Sequence, residues 1–129
     1  METLRTYLQQ EVHQVAYLFV VVLLAMGVDI VTGLIAASIN DTVSSKFGRI
    51  GLFKKVAHIL ALILTVAITF LIPEDKDFYV IFFVMSYSIL NETISILENL
   101  RKAGIDIRPF SFVVNILRGI VGKENDYED

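Results

Sequence analysis

The chain is 129 residues long, 55% apolar and only 19% charged, with a net charge of −3 and no cysteine. Soluble domains carry more charge and fewer apolar residues, and the missing cysteine excludes disulfides, thiolate metal ligands and cysteine nucleophiles. The small net charge says little about partners, whereas the placement of the charges says more, because three long apolar blocks are separated by charged stretches.

Residues 1–14 place Leu4, Leu8 and Val12 at near-helical spacing, with Gln9, Gln10, His13 and Gln14 between them. This reads as an amphipathic arm at a membrane surface or as a frayed terminus. Only Arg5 precedes the first apolar run. That run is too long for a signal-peptide core and ends without a convincing cleavage site, so it reads as a retained anchor.

The first apolar block covers residues 15–39 and carries one charge, Asp29. At about 1.5 Å per residue it exceeds the ~30 Å hydrocarbon core, so it spans with tilt or turns out at one end. The second block, 56–72, contains His58 and stops at Pro73, which cannot continue a helix ladder. The third starts at Phe78 and is apolar or small-polar to Leu90. It then turns amphipathic through Asn91, Glu92, Ser95, Glu98 and Asn99, and should end near Ala103 and Gly104, where glycine can take a left-handed cap. Soluble bundles need polar faces, and Phe19 to Met26 and Val56 to Leu71 have almost none.

The expected fold is an all-α integral membrane protein with about three transmembrane helices, at 15–39, 56–72 and 78–100, within a membrane domain 15–103. After Pro109, Val113, Ile116, Leu117 and Ile120 share one helical face and Ser111, Asn115, Arg118 and Gly122 the other. Residues 104–122 therefore read as a cytoplasmic amphipathic segment, on the membrane or against the bundle. Residues 123–129 read as an acidic, disordered tail.

Basic residues orient the spans. Lys46, Arg49, Lys54 and Lys55 precede the second block, and Arg101, Lys102, Arg108, Arg118 and Lys123 follow or end the third. Only Arg5 and Lys76 fall on the other side. The rule that basic loops stay inside predicts an outside N-terminus and a cytoplasmic C-terminus. Lys46, Arg49, Lys54, Lys55, Arg101 and Lys102 are then the membrane-surface basic residues.

Polar residues within the spans are the candidate site. Ala25, Asp29, Gly33 and Ala37 recur one turn apart, a small-residue row with a carboxylate at its centre. Small residues admit a close backbone, and the polar centre can bond across the contact. A buried carboxylate needs a partner, water or a proton. Ser88, Asn91, Glu92, Ser95 and Asn99 form a comparable stripe, and His58, Thr65 and Thr69 lie near one face of the second block. Asp29, His58 and Glu92 fall in the cytoplasmic halves of their spans, at similar depth. These rows read as helix contacts, a subunit interface or a pore lining. No metal-ligand spacing, nucleotide fingerprint or nucleophile motif appears, so no enzyme activity, metal, cofactor or nucleic-acid partner is expected. Gly48-Arg49-Ile50-Gly51 reads as a basic loop with hinge glycines.

Four motifs fall in order. Asp29-Ile-Val-Thr-Gly33-Leu-Ile-Ala-Ala37 leads to Ser44-Ser45-Lys46-Phe47-Gly48 and Gly51-Leu-Phe-Lys54-Lys55. Asn91-Glu92-Thr-Ile-Ser95-Ile-Leu-Glu98-Asn99-Leu100 and Gly104-Ile-Asp-Ile-Arg-Pro109 follow. Over roughly residues 20–110 this order resembles the phage lysis and toxin-secretion holin family. The resemblance implies a protein that oligomerises in the bacterial cytoplasmic membrane and opens lesions. These would release an endolysin or a signal-less toxin, with the lipid bilayer and further copies of itself as partners and no necessary direct contact with the cargo. The alternatives are a small ion channel or transporter subunit using Asp29 and Glu92, and a membrane anchor for a cytoplasmic partner. A transporter usually needs more spans or an inverted repeat, and neither is visible.

Overall fold

A computed structural model describes residues 2–69, 71 and 77–122. The expected acidic tail and most of the connection between the second and third spans lie outside them. Among the described residues helices are the only regular structure, with α1 at Glu2–Ile39, α2 at Ser45–Thr69, α3 at Asp77–Lys102, a short 3-10 turn at Arg108–Phe110 and α4 at Ser111–Val121. Three stretches among the described residues are long and apolar enough to cross a membrane: Gln9–Ile39, Gly48–Thr69 and Phe78–Lys102. α4, at 11 residues, is too short to cross.

Two boundaries differ from expectation. α1 runs without a break through position 14, so the N-terminal arm and the first span are one helix. The basic stretch expected as a loop is helical, because α2 continues through Gly48 and Gly51. Each glycine costs a helix about 1 kcal/mol relative to alanine, and the long apolar run that follows outweighs that. α3 ends where glycine allows. Gly104 takes φ +83, its N–H donates to the Arg101 carbonyl at 2.9 Å, and the Ile105 N–H donates to the Leu100 carbonyl at 3.0 Å. This pair of bonds satisfies the last carbonyls of the helix.

The helices meet along a repeat of alternating three and four residues. On α1 the inward positions are Val22, Met26, Asp29, Gly33 and Ala36. On α2 they are Lys55, His58, Leu62, Thr65 and Thr69, and on α3 Ile81, Met85, Ser88, Glu92 and Asn99. A mean spacing of about 3.5 residues keeps one seam of a helix facing its neighbour over many turns. Val22, Met26, Leu62, Ile81 and Met85 form the apolar core. Polar side chains take over the same seams toward the C-terminal ends of α1 and α3.

α1 and α3 run parallel. The Asn40 side-chain amide donates both to the Ala36 carbonyl and to the Lys102 carbonyl, each at 2.8 Å, and so ties their C-terminal ends together. α2 runs the other way and is the least covered span. Only 6% of its most apolar window is buried, against 28% for α3. Leu24, Val31, Leu34, Leu60, Leu64 and Phe83 are all exposed on the outside of the three-helix unit. Such continuous apolar surface suits a lipid solvent and would aggregate in water.

Candidate functional site

Polar residues on the three seams converge at the end of the bundle where α1 and α3 finish. Asp29 on α1 is 8% exposed and Glu92 on α3 is 4% exposed. Between them stands the Lys55 ammonium of α2, 2.9 Å from Asp29 Oδ2 and bonded also to Glu92 Oε2. The Asn99 amide donates to Asp29 Oδ1 at 2.8 Å and to the Asp29 carbonyl at 3.2 Å. It also lies 3.3 Å from the Thr32 hydroxyl. A turn deeper, His58 Nε2 lies 3.2 Å from Ser88 Oγ, and the Ser88 hydroxyl donates to the Val84 carbonyl at 3.0 Å. Among the described residues no buried side-chain polar atom lacks a partner.

The charge balance of this cluster is uneven. By formal charge Asp29 and Glu92 count two negatives and Lys55 one positive. The cluster therefore holds one excess negative charge inside an apolar bundle. An intramembrane charge costs a few kcal/mol unless it is paired or wetted. Removing one member of a buried ion pair leaves the other uncompensated, at roughly 3–5 kcal/mol. The cluster thus holds the three helices together while Lys55 is in place, and it destabilises the closed bundle when that single cation is lost.

A second polar contact lies nearby. Arg118 of α4 is 8% exposed and reaches Glu98 of α3 at 3.2 Å. Outside the spans, the Asp106 carboxylate accepts the Arg108 backbone N–H at 3.0 Å and pairs with its guanidinium at 2.7 Å. That guanidinium holds the Asp106 carboxyl below its usual range, and the carboxylate in turn raises Arg108.

Of the residues singled out in the sequence, Asp29, Gly33, Ser88, Glu92 and His58 come together. Gly33 lies under Asn99, where an added Cβ would stand 3.3 Å from the amide nitrogen. Within one chain the Asp29 and Gly33 part of the small-residue row is therefore covered by α3. Ala25 and Ala37 are half-buried at the edge of the seam, because a strict four-residue spacing drifts off a 3.5-residue one. Asn91 and Ser95 are half-buried and make no hydrogen bond to the cluster among the described residues.

Lys46, Arg49, Lys54, Arg101 and Lys102 are exposed. Lys55 departs from the expected surface position, since its side chain is 17% exposed and turned inward. Counting back from Leu62 and His58 in threes and fours lands on Lys55, and that spacing is the signal that would have found it. Asn99, grouped in the sequence with the α3 stripe, is the direct partner of Asp29.

Among the described residues no cluster of side chains suits a metal ion. A family model described as the bacteriophage holin family matches residues 6–120. No curated protein and no solved structure matches the chain.

Proposed function

The chain belongs to the bacteriophage holin family, and on that footing we propose that it gathers into homo-oligomers in a bacterial cytoplasmic membrane and opens lesions there. The lesions would pass an endolysin or a signal-less toxin, without direct contact between holin and cargo. The basic residues at the ends of α2 and α3 support an outside N-terminus and a cytoplasmic C-terminus.

The observation that carries this reading is the buried, unevenly charged cluster of Asp29, Lys55 and Glu92 beside a sparsely covered α2. While the bundle is closed, these charges satisfy one another and the outside is apolar. When α2 parts from α3, the same seams become charged stripes that lipid cannot solvate. Several copies that turn these stripes toward a common water-filled space relieve that cost, and the apolar faces remain against lipid. In this reading the row Ala25, Asp29, Gly33 and Ala37 changes partner, from α3 of its own chain to water or to a neighbouring copy. His58, Ser88, Asn91, Glu92 and Ser95 line the same opening.

The test is induced expression in a bacterium, following viability, membrane potential and release of a cytosolic enzyme together. A holin gives an abrupt, simultaneous collapse of potential and release of the enzyme after a delay set by accumulation. An ion-coupled channel or transporter subunit would change the potential without releasing the enzyme, and that outcome would sink the proposal.

A further inference from the structure

α4 divides into three faces. At about 100° per residue, Val114, Leu117 and Arg118 occupy one sector of about 100°. Ser111, Asn115 and Gly119 occupy the next sector, and Phe112, Val113, Ile116 and Ile120 the third. The first sector is turned to the bundle, for Val114 is 5% and Arg118 8% exposed. The other two are open. Phe112 is 73% exposed, Ile120 59%, Ile116 47% and Val113 46%. A helix that met only water and the bundle would need two faces, whereas this one presents a third that is wholly apolar.

The position of that third face identifies what covers it. Arg118 is paired with Glu98, and Glu98 lies one turn inside the C-terminal end of the candidate span Phe78–Lys102. α4 is therefore fixed at the depth of the last turn of a transmembrane helix. At that level the neighbouring medium is the boundary between headgroups and acyl chains. The polar sector of Ser111 and Asn115 and the apolar sector of Phe112 and Ile116 flank the bundle-facing sector on its two sides. One side is then free to meet water while the other enters lipid.

We propose that α4 is an interfacial helix inserted in the leaflet at the C-terminal end of α3. Its partner is the upper acyl-chain region of the bilayer, entered by Phe112, Val113, Ile116 and Ile120 and held in register by Arg118 on Glu98. Burying an apolar face of this kind holds an interfacial helix on a membrane in proportion to the area covered. The inference rests on the multi-pass membrane character of the chain and not on lesion formation.

The chain lacks cysteine, so Ile116→Cys, Phe112→Cys, Asn115→Cys and Leu64→Cys can each carry one environment-sensitive fluorophore. Each full-length variant is reconstituted in vesicles of phosphatidylethanolamine and phosphatidylglycerol. Quenching by lipid spin-labelled near the top of the acyl chain is compared with quenching by aqueous iodide. Probes at Ile116 and Phe112 are expected to be quenched several-fold more by the lipid than by iodide, with the reverse at Asn115. Equal access of iodide to all three would overturn the proposal. Shielding of Ile116 from both quenchers would also overturn it, because a second protein surface and not lipid would then cover the face. Leu64, in the middle of α2, is the reference. If deep-labelled lipid leaves it unquenched, the membrane reading fails first. A chain that inserts α4 in this way and yet never lyses a cell would remove only the lesion-forming reading.

Discussion

The Lys55 ammonium of α2 stands 2.9 Å from Asp29 Oδ2 of α1 and reaches Glu92 of α3 with the same nitrogen. A single cation therefore joins all three spans. Replacing it with methionine keeps length and removes the charge, leaving two carboxylates in an apolar seam. Lys55→Met is expected to lose about 3–5 kcal/mol of stability, read as the midpoint of unfolding by ionic detergent followed by circular dichroism. The triple variant with Asp29→Asn and Glu92→Gln should recover much of the loss. A Lys55→Met protein as stable as the parent would mean that the carboxylates find water.

Asp29→Asn tests ionisation in lesion opening. Asparagine can still accept the Asn99 amide, and Glu92 still pairs with Lys55, so the cluster changes from one excess negative charge to neutral. The closed bundle is then less strained electrostatically, and a hydrated opening gains less. The variant should insert and accumulate normally and lyse late or not at all, measured as culture turbidity at matched protein levels. Parental timing would leave Asp29 as a packing residue.

Gly33→Leu separates two roles for the small-residue row. A leucine there must displace Asn99 from Asp29, so it should destabilise the single chain by roughly 1–3 kcal/mol through overpacking. Gly33→Ala, whose Cβ would stand 3.3 Å from the Asn99 amide nitrogen, asks for a shift of only a few tenths of an ångström and should be much milder. Crosslinked ladders weakened by Gly33→Leu at unchanged unfolding midpoint would assign the position to contacts between copies instead.

The pH response of Asp106 has a defined sign. Its carboxyl is held below the ordinary value of 3.8 by Arg108, so the pair contributes fully above that value. The contribution is lost only as the pH falls through the lower folded-state value. The carboxyl carbon of Asp106, followed by nuclear magnetic resonance in micelles, should titrate below 3.8. The midpoint should move back toward that value in high salt, because the pair is exposed. A midpoint at the ordinary value in low salt would show that the pair does not form.

Orientation is open to a simple labelling experiment. Thr3→Cys and Ser44→Cys place one thiol at each end of α1, both at exposed positions. A membrane-impermeant thiol reagent added to whole cells is expected to label the first and not the second. Reversed labelling would invert the topology and with it the assignment of the basic residues to the cytoplasm.

Much of this arrangement was legible in the sequence, because length and hydropathy dictate spans directly. The left-handed stop at Gly104 could be anticipated from one glycine after an amphipathic run. The need of Asp29 for a partner followed from its depth alone. The identity of that partner did not. Lys55 lies among exposed basic neighbours, and composition assigns all of them to the surface. The rotation of the three helices puts Lys55 on an inner seam and Lys54 about 100° away, and in the sequence only the three-four spacing through His58 and Leu62 marks Lys55. The helical course through Gly48 and Gly51 was hidden for a related reason, since local glycine preference gave the wrong answer and the adjoining span overrode it.

The pairing of the first span with the third has a consequence for how the protein is made. Asp29 and Asn99 are 70 residues apart, and at about 5–20 residues per second a ribosome needs roughly 4–14 s to separate their emergence. During that interval α1 is already in place with its carboxylate, and the lysine of α2 arrives well before the asparagine and glutamate of α3. When α2 has been made and α3 has not, the nascent chain carries Asp29 and Lys55 as one formal charge of each sign. The excess negative charge enters only with the last span to be synthesised.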